Sequence, residues 1–287
     1  MNATELKAAL ARCSGGEVID LGGAVLGKVL LKGFLFDKRV TIANGSLSFD
    51  VRGCRGLHFE DLTLGTSLAG YGSDAISARR VKVSSPDATA LTFHNIADGF
   101  VEDSEFFDCN LALALRGCSR FHTTGNQFRD IRKDGIRFQE GADTLLIDGN
   151  DFWDFYPGTV GGEATHPDAI QGATDAVKPT RNVTISNNRV WRGKGQAVQG
   201  IFCRTYAGRQ NYEGLKIRDN VLHGTLYNGI AFTGSGAVER NTLTALPDQK
   251  TWMRWGTWDG PIAGNIAPAF NDGGKIVTAP VSNLLAA

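Results

Sequence analysis

Apolar and small residues recur along the chain at fixed distances before and after a bend. Around Asn150, for example, Leu145, Ile147 and Phe152 are apolar, so alternating stretches flank the bend on both sides. Alternation of this kind predicts a strand, a tight turn and a second strand. Ten such windows follow one another, with bends at Gly45, Leu62, Val81, Ser104, Asn126, Asn150, Asn188, Asn220, Asn241 and Asn265.

Most successive bends are about 22 residues apart, a period typical of a solenoid. Asparagine recurs at the bends because it tolerates left-handed backbone and can hydrogen-bond to its copy one coil away. A third strand family fills the interval between bends: Ala90–Phe93, Ala112–Leu115, Gly135–Phe138, Ala169–Gln171, Gly200–Phe202 and Gly229–Phe232. The chain has 36 glycines and only 2 methionines, which suits short strands and tight turns. The sequence therefore predicts an all-β fold, a single-stranded parallel β-helix of about ten coils.

A solenoid must cover its open ends, and both ends of this chain differ from the coils. At the start, residues 2–5 form a capping-box pattern before apolar residues at helical spacing, which predicts a capping helix. At the far end, the segment 252–258 contains three tryptophans and predicts an irregular aromatic cap. We expect one domain over 1–287, with an N-terminal cap over 1–22, coils over 23–245 and a final coil and cap over 246–287.

The segment from Glu5 to Gly23 resembles the capping helix and first strand of the pectin-lyase-like superfamily. The coils extend this resemblance over nearly the whole chain. It implies a right-handed parallel β-helix and leaves the activity open, because the superfamily includes lyases, hydrolases, epimerases, esterases and phage tailspikes.

Charge and composition exclude several classes of partner. The 30 basic and 30 acidic residues cancel, so no overall field favours nucleic acid or an anionic membrane. The sequence shows no transmembrane stretch and no secretory signal pattern. We expect a soluble protein that stays in the cell, leaves it without a signal, is associated with a phage, or has lost its signal; its oligomeric state stays open. The five cysteines are widely spaced and predict buried thiols.

Two intervals between bends are longer than the others. Asn150 and Asn188 are 38 residues apart, and Asn188 and Asn220 are 32 residues apart. The extra residues predict two loops, 153–166 and 203–213, and solenoids place such insertions on the binding face. We therefore expect a groove between these loops.

Polar residues cluster directly after the first loop, in the segment from His166 to Gln171. Aligning consecutive coils places Asp134 and Asp168 in adjacent rungs. Arg132 and Arg137 lie in the same segment as Asp134, one coil before Asp168. The same alignment places the segment 192–199, with Lys194, one coil later. The segment resembles one in bacterial β-helix proteins that act on polysaccharides. Its His and Asp are similar in kind to catalytic groups of alginate epimerases, whose full Asp-Pro-His motif is absent here.

This set of residues fits cleavage of a uronate-containing polysaccharide by β-elimination. The reaction needs a cation for the sugar carboxylate, a base for the C5 proton and an acid for the leaving oxygen. The predicted catalytic residues are His166 as base, Tyr206 as proton donor, Asp168 and Lys194. The predicted substrate-binding residues are Arg132, Asp134, Arg137, Gln171, Gln199, Arg204 and Tyr156, the last also an alternative proton donor.

Three other functions remain open from the sequence. A glycoside hydrolase would use Asp134 and Asp168, or Asp168 with Glu163, as its carboxylate pair. A C5-epimerase would share the proton abstraction, and a tailspike-like module would bind glycan without cleaving it. Acidic clusters around 98–108 and 148–154 allow calcium but follow no calcium-binding repeat, so neither a metal nor a cofactor is assigned.

Overall fold

The structure is a computed structural model that describes residues 1–160, 163–164, 167–277 and 284–285. The chain winds into one parallel β-helix, in which strands pair in parallel with strands one coil earlier and one coil later. The predicted all-β solenoid is therefore confirmed. Its only described helix has eight residues, and no described helix is long and apolar enough to cross a membrane.

The elements follow the chain in three groups. The first coils contain α1 (Ala3–Leu10), β1 (Val18–Asp20), β2 (Val25–Lys32), β3 (Leu35–Arg52), β4 (Arg55–Leu64), β5 (Ser67–Gly70), β6 (Ser77–Arg79), β7 (Lys82–His94), β8 (Phe100–Glu102) and β9 (Glu105–Arg116). The middle coils contain β10 (Ser119–Thr124), β11 (Gln127–Ile131), β12 (Ile136–Gln139), β13 (Asp143–Asp148), β14 (Asp151–Phe155), β15 (Thr159–Val160), β16 (Glu163–Ala164), β17 (Asp168–Gly172), β18 (Thr180–Ser186), β19 (Arg189–Trp191) and β20 (Gln199–Cys203). The last coils contain β21 (Tyr212–Glu213), β22 (Leu215–Arg218), β23 (Val221–His223), β24 (Ile230–Glu239), β25 (Thr242–Thr244), β26 (Trp252–Asp259), β27 (Ile262–Ala263), β28 (Ile266–Ala267), β29 (Ala269–Asp272), β30 (Lys275–Val277) and β31 (Leu284–Leu285).

Each central coil contributes one strand to each of three parallel stacks. The strands before the asparagine bend stack as β10, β13, β18 and β22. Those after it stack as β11, β14, β19, β23 and β25. The third stack, here called the site sheet, runs through β12, β17, β20, β24 and β26.

The predicted asparagine ladder is present at the bends and is continuous from Asn126 to Asn265. From Asn150 onward, each Oδ1 accepts hydrogen bonds from the main-chain N–H and the side-chain Nδ2 of the asparagine one coil earlier, at 2.9–3.1 Å. Each Nδ2 also donates to a main-chain carbonyl, as Asn150 does to Thr123. All six side chains are buried, so the ladder satisfies polar groups that would otherwise be costly inside the solenoid.

The interior is a column of apolar side chains, in which equivalent positions of successive coils stack on one another. Phe106, Phe128 and Phe152 stack with ring centroids 4.8 and 4.7 Å apart, because equivalent positions face inward in each coil. All five cysteines are free thiols and four of them are buried, as predicted; Cys13 is half-buried.

The N-terminal cap matches its prediction. Asn2 Oδ1 accepts from the N–H groups of Thr4 and Glu5, and Glu5 Oε2 accepts from the N–H of Asn2. Leu6 and Leu10 are buried against the first coils. This helix therefore covers the apolar end of the core.

The Trp-rich segment differs from the expected irregular cap. Trp252–Asp259 is a strand, β26, that pairs in parallel with both β24 and β29, with a register shift opposite Phe232 and Gly234. Met253 and Phe270 are fully buried, so the apolar core continues through this coil.

The two loops are shorter than predicted at their edges. Trp153 and Phe155 belong to β14 and pair with β11, so the first insertion begins after Phe155. Cys203 ends β20, and Tyr212 lies in β21, so the second insertion lies between them. The loops are shorter than predicted because Phe155, Cys203 and Tyr212 are buried in the core and belong to strands. The insertions lie directly before β17 and directly after β20 of the site sheet.

Candidate active site

Two columns of polar side chains run along the site sheet. The first, here called the acid column, contains Asp134, Asp168, Gln199 and Asn228 in successive coils. It arises because Gly135 N–H donates to Asp168 O, Asp168 pairs with Gln199, and Gly200 N–H donates to Asn228 O. In the second column Arg137 lies opposite Gln171, so the predicted neighbours are brought together.

Asp134 is fully buried, and two neighbours hold its carboxylate. Arg137 Nη2 forms an ion pair with Oδ2, and the main-chain N–H of Asp168 donates to Oδ1 at 3.1 Å. Burial raises the pKa of Asp134, and the charge of Arg137 opposes that rise. Asp134 therefore orients the next coil and balances Arg137.

Asp168 is only 1% exposed and its two oxygens differ. Oδ2 accepts from Gln171 Nε2 at 2.8 Å, whereas Oδ1 is buried and has no hydrogen-bond partner among the residues that the structure describes. Burial, and then repulsion from Asp134, raise the pKa of Asp168 well above its ordinary value. Asp168 thus keeps its proton at pH values where an exposed aspartate has lost it.

A cavity of about 250 Å³ lies against Asp168 on the outer face of the site sheet. It is lined by Asp168, Gln171, Gln199, Phe202, Tyr206, Tyr227 and Asn228. Tyr206 and Tyr227 are about half exposed at its edge, while Gln199 and Asn228 are buried and hydrogen-bonded to each other. Aromatic rings and amides around one protonated carboxyl can bind sugar rings and their hydroxyl groups.

The cavity and the solenoid around it belong to a recognised architecture. A family model described as "right handed beta helix region" matches residues 66–244, more than half of the chain. The chain belongs to this family. The match confirms the right-handed winding that the sequence resemblance implied.

Solved structures similar to this β-helix have diverse functions. A surface adhesin of Streptococcus pneumoniae, PfbA, has a TM-score of 0.63 and 12% identity, covering 99% of this chain and 86% of the adhesin. An alginate lyase from Paenibacillus sp. str. FPU-7 has a TM-score of 0.52 and 15% identity, covering 100% of this chain and 96% of the lyase. A tailspike protein of E. coli bacteriophage HK620, in complex with a pentasaccharide, has a TM-score of 0.54 and 12% identity, covering 95% of this chain and 63% of the tailspike. No curated protein is significantly similar in sequence.

Several predicted site residues of this β-helix lie elsewhere. Arg132 donates to Asp108 Oδ1 at 2.5 Å and to Pro86 O at 3.0 Å, toward the preceding coils. Lys194 is exposed in a turn, where its main-chain N–H donates to Asp154 Oδ1 at 2.6 Å. The expected alignment of Lys194 with Asp168 is wrong, because Asp168 pairs with Gln199 five residues further on.

The remaining predicted residues border the site or fall outside it. Tyr156 lies directly after β14 at the start of the first insertion, and Arg204 lies directly after β20, half-buried. Neither of them lines the cavity at Asp168. His166 lies outside the described residues, two positions before Asp168 in sequence.

The structure adds cavity residues that the sequence analysis missed: Asn228, Tyr227 and Phe202. It also adds Arg254, whose Nη1 donates to Asn228 Oδ1 at 2.7 Å. A signal for Asn228 was present, because it precedes the third-strand window Gly229–Phe232 just as Asp168 precedes Ala169–Gln171.

The acidic cluster near 98–108 is used in ion pairs between coils. Asp98 binds Arg120 at 2.7 Å and Glu105 binds Arg129 at 2.6 Å. Among the residues that the structure describes, no group of three or more His, Cys, Asp or Glu side chains could hold a metal ion. The calcium site that the sequence left open stays unassigned.

Proposed function

We propose that this β-helix binds an acidic polysaccharide along the site sheet and cleaves it by β-elimination, with Asp168 as the acid. The observation that carries the proposal is a buried aspartic acid, Asp168, that lines an open cavity and whose pKa is raised well above its ordinary value by burial. A proton donor near neutral pH is what the leaving oxygen requires, and ordinary aspartates are ionised there.

The reaction balances with the residues in the site. A base removes the C5 proton, and its electron pair forms the C4–C5 double bond as the C4–O4 bond breaks. O4 takes the proton of Asp168, which becomes a carboxylate and is later reprotonated by solvent. His166 remains the proposed base, and Arg137, next to Gln171 in register, stabilises the uronate carboxylate.

The burial of Asp134 is evidence against hydrolysis by the pair Asp134 and Asp168. A hydrolase needs two carboxyl groups facing the scissile bond. Asp134 is fully buried, is paired with Arg137, and does not line the cavity. Asp134 therefore does not supply the second carboxyl group that a hydrolase would need beside Asp168 at this cavity.

The similar structures support a glycan partner on this architecture. One of them is an alginate lyase, and another is a tailspike protein bound to a pentasaccharide. Tyr206 and Tyr227 place two exposed aromatic rings beside the acid, as a sugar-binding cavity requires.

The test is a panel of alginate, pectate, hyaluronan and bacterial exopolysaccharides, followed by ultraviolet absorbance. Elimination leaves an unsaturated uronide that absorbs, whereas hydrolysis releases reducing ends without this absorbance. We expect absorbance to rise with at least one acidic polysaccharide and to be lost in Asp168→Asn. Reducing ends without absorbance would indicate a hydrolase, and binding without product would indicate a non-catalytic module.

A further inference from the structure

A second cavity, of about 400 Å³, lies next to the Asp168 cavity further along the solenoid axis. Tyr227 lines both cavities, so they are neighbours on one surface. The second cavity is also lined by Leu226, Gln249, Lys250, Trp252 and Arg254. A polysaccharide lying along the site sheet would contact the two cavities in succession.

Arg254 is the distinctive residue of the second cavity. It lies in the same column as Gln171, three coils further on, or about 14 Å at ~4.8 Å per coil. Its guanidinium Cζ is 5.5 Å from the centre of the Tyr227 ring and 5.8 Å from the Trp252 ring. These rings and the bond to Asn228 hold the guanidinium at the cavity wall.

The charge of Arg254 is not balanced by a carboxylate in the described part of the chain. Other arginines of the β-helix bind carboxylates with two nitrogens, as Arg240 does with Asp219 and Arg189 does with Asp151. Arg254 instead contacts an amide and two aromatic rings, and within the described parts of the chain its only hydrogen bond is the one from Nη1 to Asn228. A guanidinium has five N–H donors, so this arginine keeps donors available for an incoming anion.

The neighbouring charges favour an anion as well. Lys250 is exposed at the cavity, and the one acidic residue that lines it, Asp248, forms an ion pair with Arg192 at 3.4 Å. The cavity therefore carries excess positive charge beside flat aromatic rings. A sugar ring with a carboxylate matches both features.

We propose that this second cavity is a subsite for a uronate residue, in which Arg254 binds the sugar carboxylate and Tyr227 and Trp252 contact the ring. The inference rests on the proposed function for the direction of the polysaccharide. It assigns the selection of an acidic substrate to Arg254, three coils away from the cleavage position. Arg132 and Lys194 play no part in this selection.

The test compares binding of acidic chains with binding of their neutral forms. Pectate, alginate and hyaluronan oligosaccharides are each paired with the same chain after methyl esterification of its carboxylates, and affinities are measured by calorimetry. The variants are Arg254→Met, which removes the charge, and Arg254→Lys, which keeps it without the planar fork. Arg218→Met, on an exposed strand position of another sheet, is the matched control.

We expect Arg254→Met to weaken binding of the acidic form by about ten- to a hundredfold, as for loss of charged hydrogen bonds, and to leave the ester form unchanged. Arg254→Lys restores part of the loss, and Arg218→Met has no effect. Equal weakening of both forms, or no weakening in either Arg254 variant, would overturn the subsite.

The subsite and the catalytic proposal can fail separately. If Asp168→Asn abolishes cleavage while Arg254→Met leaves acid-over-ester selectivity intact, only the subsite is wrong. If Arg254 governs selectivity but no chain is cleaved, only the catalytic proposal is wrong. Absence of binding to every chain would overturn both.

Discussion

The asparagine ladder and the acid column are both buried stacks of polar side chains in the same solenoid, yet they differ in how completely they are satisfied. In the ladder, each asparagine repeats the same donors and acceptors in every coil. In the acid column the residue type changes from coil to coil, and Asp168 Oδ1 has no hydrogen-bond partner among the described residues. The neighbouring Arg137 and Arg254 have buried Nε atoms that likewise have no partner in that part of the chain.

This difference indicates that the ladder stabilises the fold, whereas the acid column serves binding or catalysis. A uniform stack in which every donor and acceptor is paired has none left for a ligand, and it allows polar groups to be buried without a loss of stability. An unsaturated stack costs stability and persists where its open donors and acceptors have a use. The unsaturated column also contributes Asp168, Gln199 and Asn228 to the lining of the cavity at Asp168.

The largest expected effect is on turnover. Asp168→Asn keeps the shape and the bond from Gln171 but removes the acidic proton. We expect kcat to fall by about 10²- to 10⁴-fold, the usual contribution of a general acid. Steady-state kinetics on the most active polysaccharide measures the loss, with Asn110→Asp as a variant outside the site. Activity within a few fold of the original would remove Asp168 from the mechanism.

The next effect is on stability, in the saturated stack. Asn150→Ala leaves two donors of Asn126, its main-chain N–H and its Nδ2, without their shared acceptor. Each buried unpaired group costs about 1–3 kcal/mol, so the free energy of unfolding should drop by about 3 kcal/mol or more. Denaturant unfolding tests this, and Asn110→Ala, outside the ladder, is the matched control. Equal losses in the two variants would show that the ladder has no special role.

A smaller effect is expected in the pH profile. Because the pKa of Asp168 is raised, the active protonated form exists below that pKa, and activity falls as pH rises through it. The hydrogen bond from Gln171 lowers this pKa, so Gln171→Ala should move the alkaline limb of kcat/KM to higher pH. An unmoved limb would mean that another group controls it.

The smallest effect is a gain in stability. The folded protein holds the Asp168 proton more tightly than the unfolded chain does, so its stability declines as pH rises from the ordinary carboxyl pKa through the raised one. Asp168→Asn has no such decline. We expect it to melt a few degrees above the original protein at pH 8 and equally at pH 4, by calorimetry. A lower melting temperature at pH 8 would contradict the raised pKa of Asp168.

The pattern of residues along the chain predicted the solenoid, its period and the N-terminal capping helix. In a β-helix, residues one period apart become neighbours, so the repeated asparagines predicted the ladder and the alignment of Asp134 with Asp168. The same reasoning failed for Lys194, because the turn at 192–195 changes the local coil length and Gln199 takes the aligned position.

The packing of the coils sets which polar residues are open to a ligand. Burial raises the pKa of Asp168, and that burial depends on neighbours from several coils. Arg254 reaches back across one coil to Asn228 and lies beside Tyr227 and Trp252, a placement set by side-chain direction. The spacing of residues along the chain predicts strand register. The burial of a carboxyl group and the contacts of a guanidinium group depend on how the coils pack.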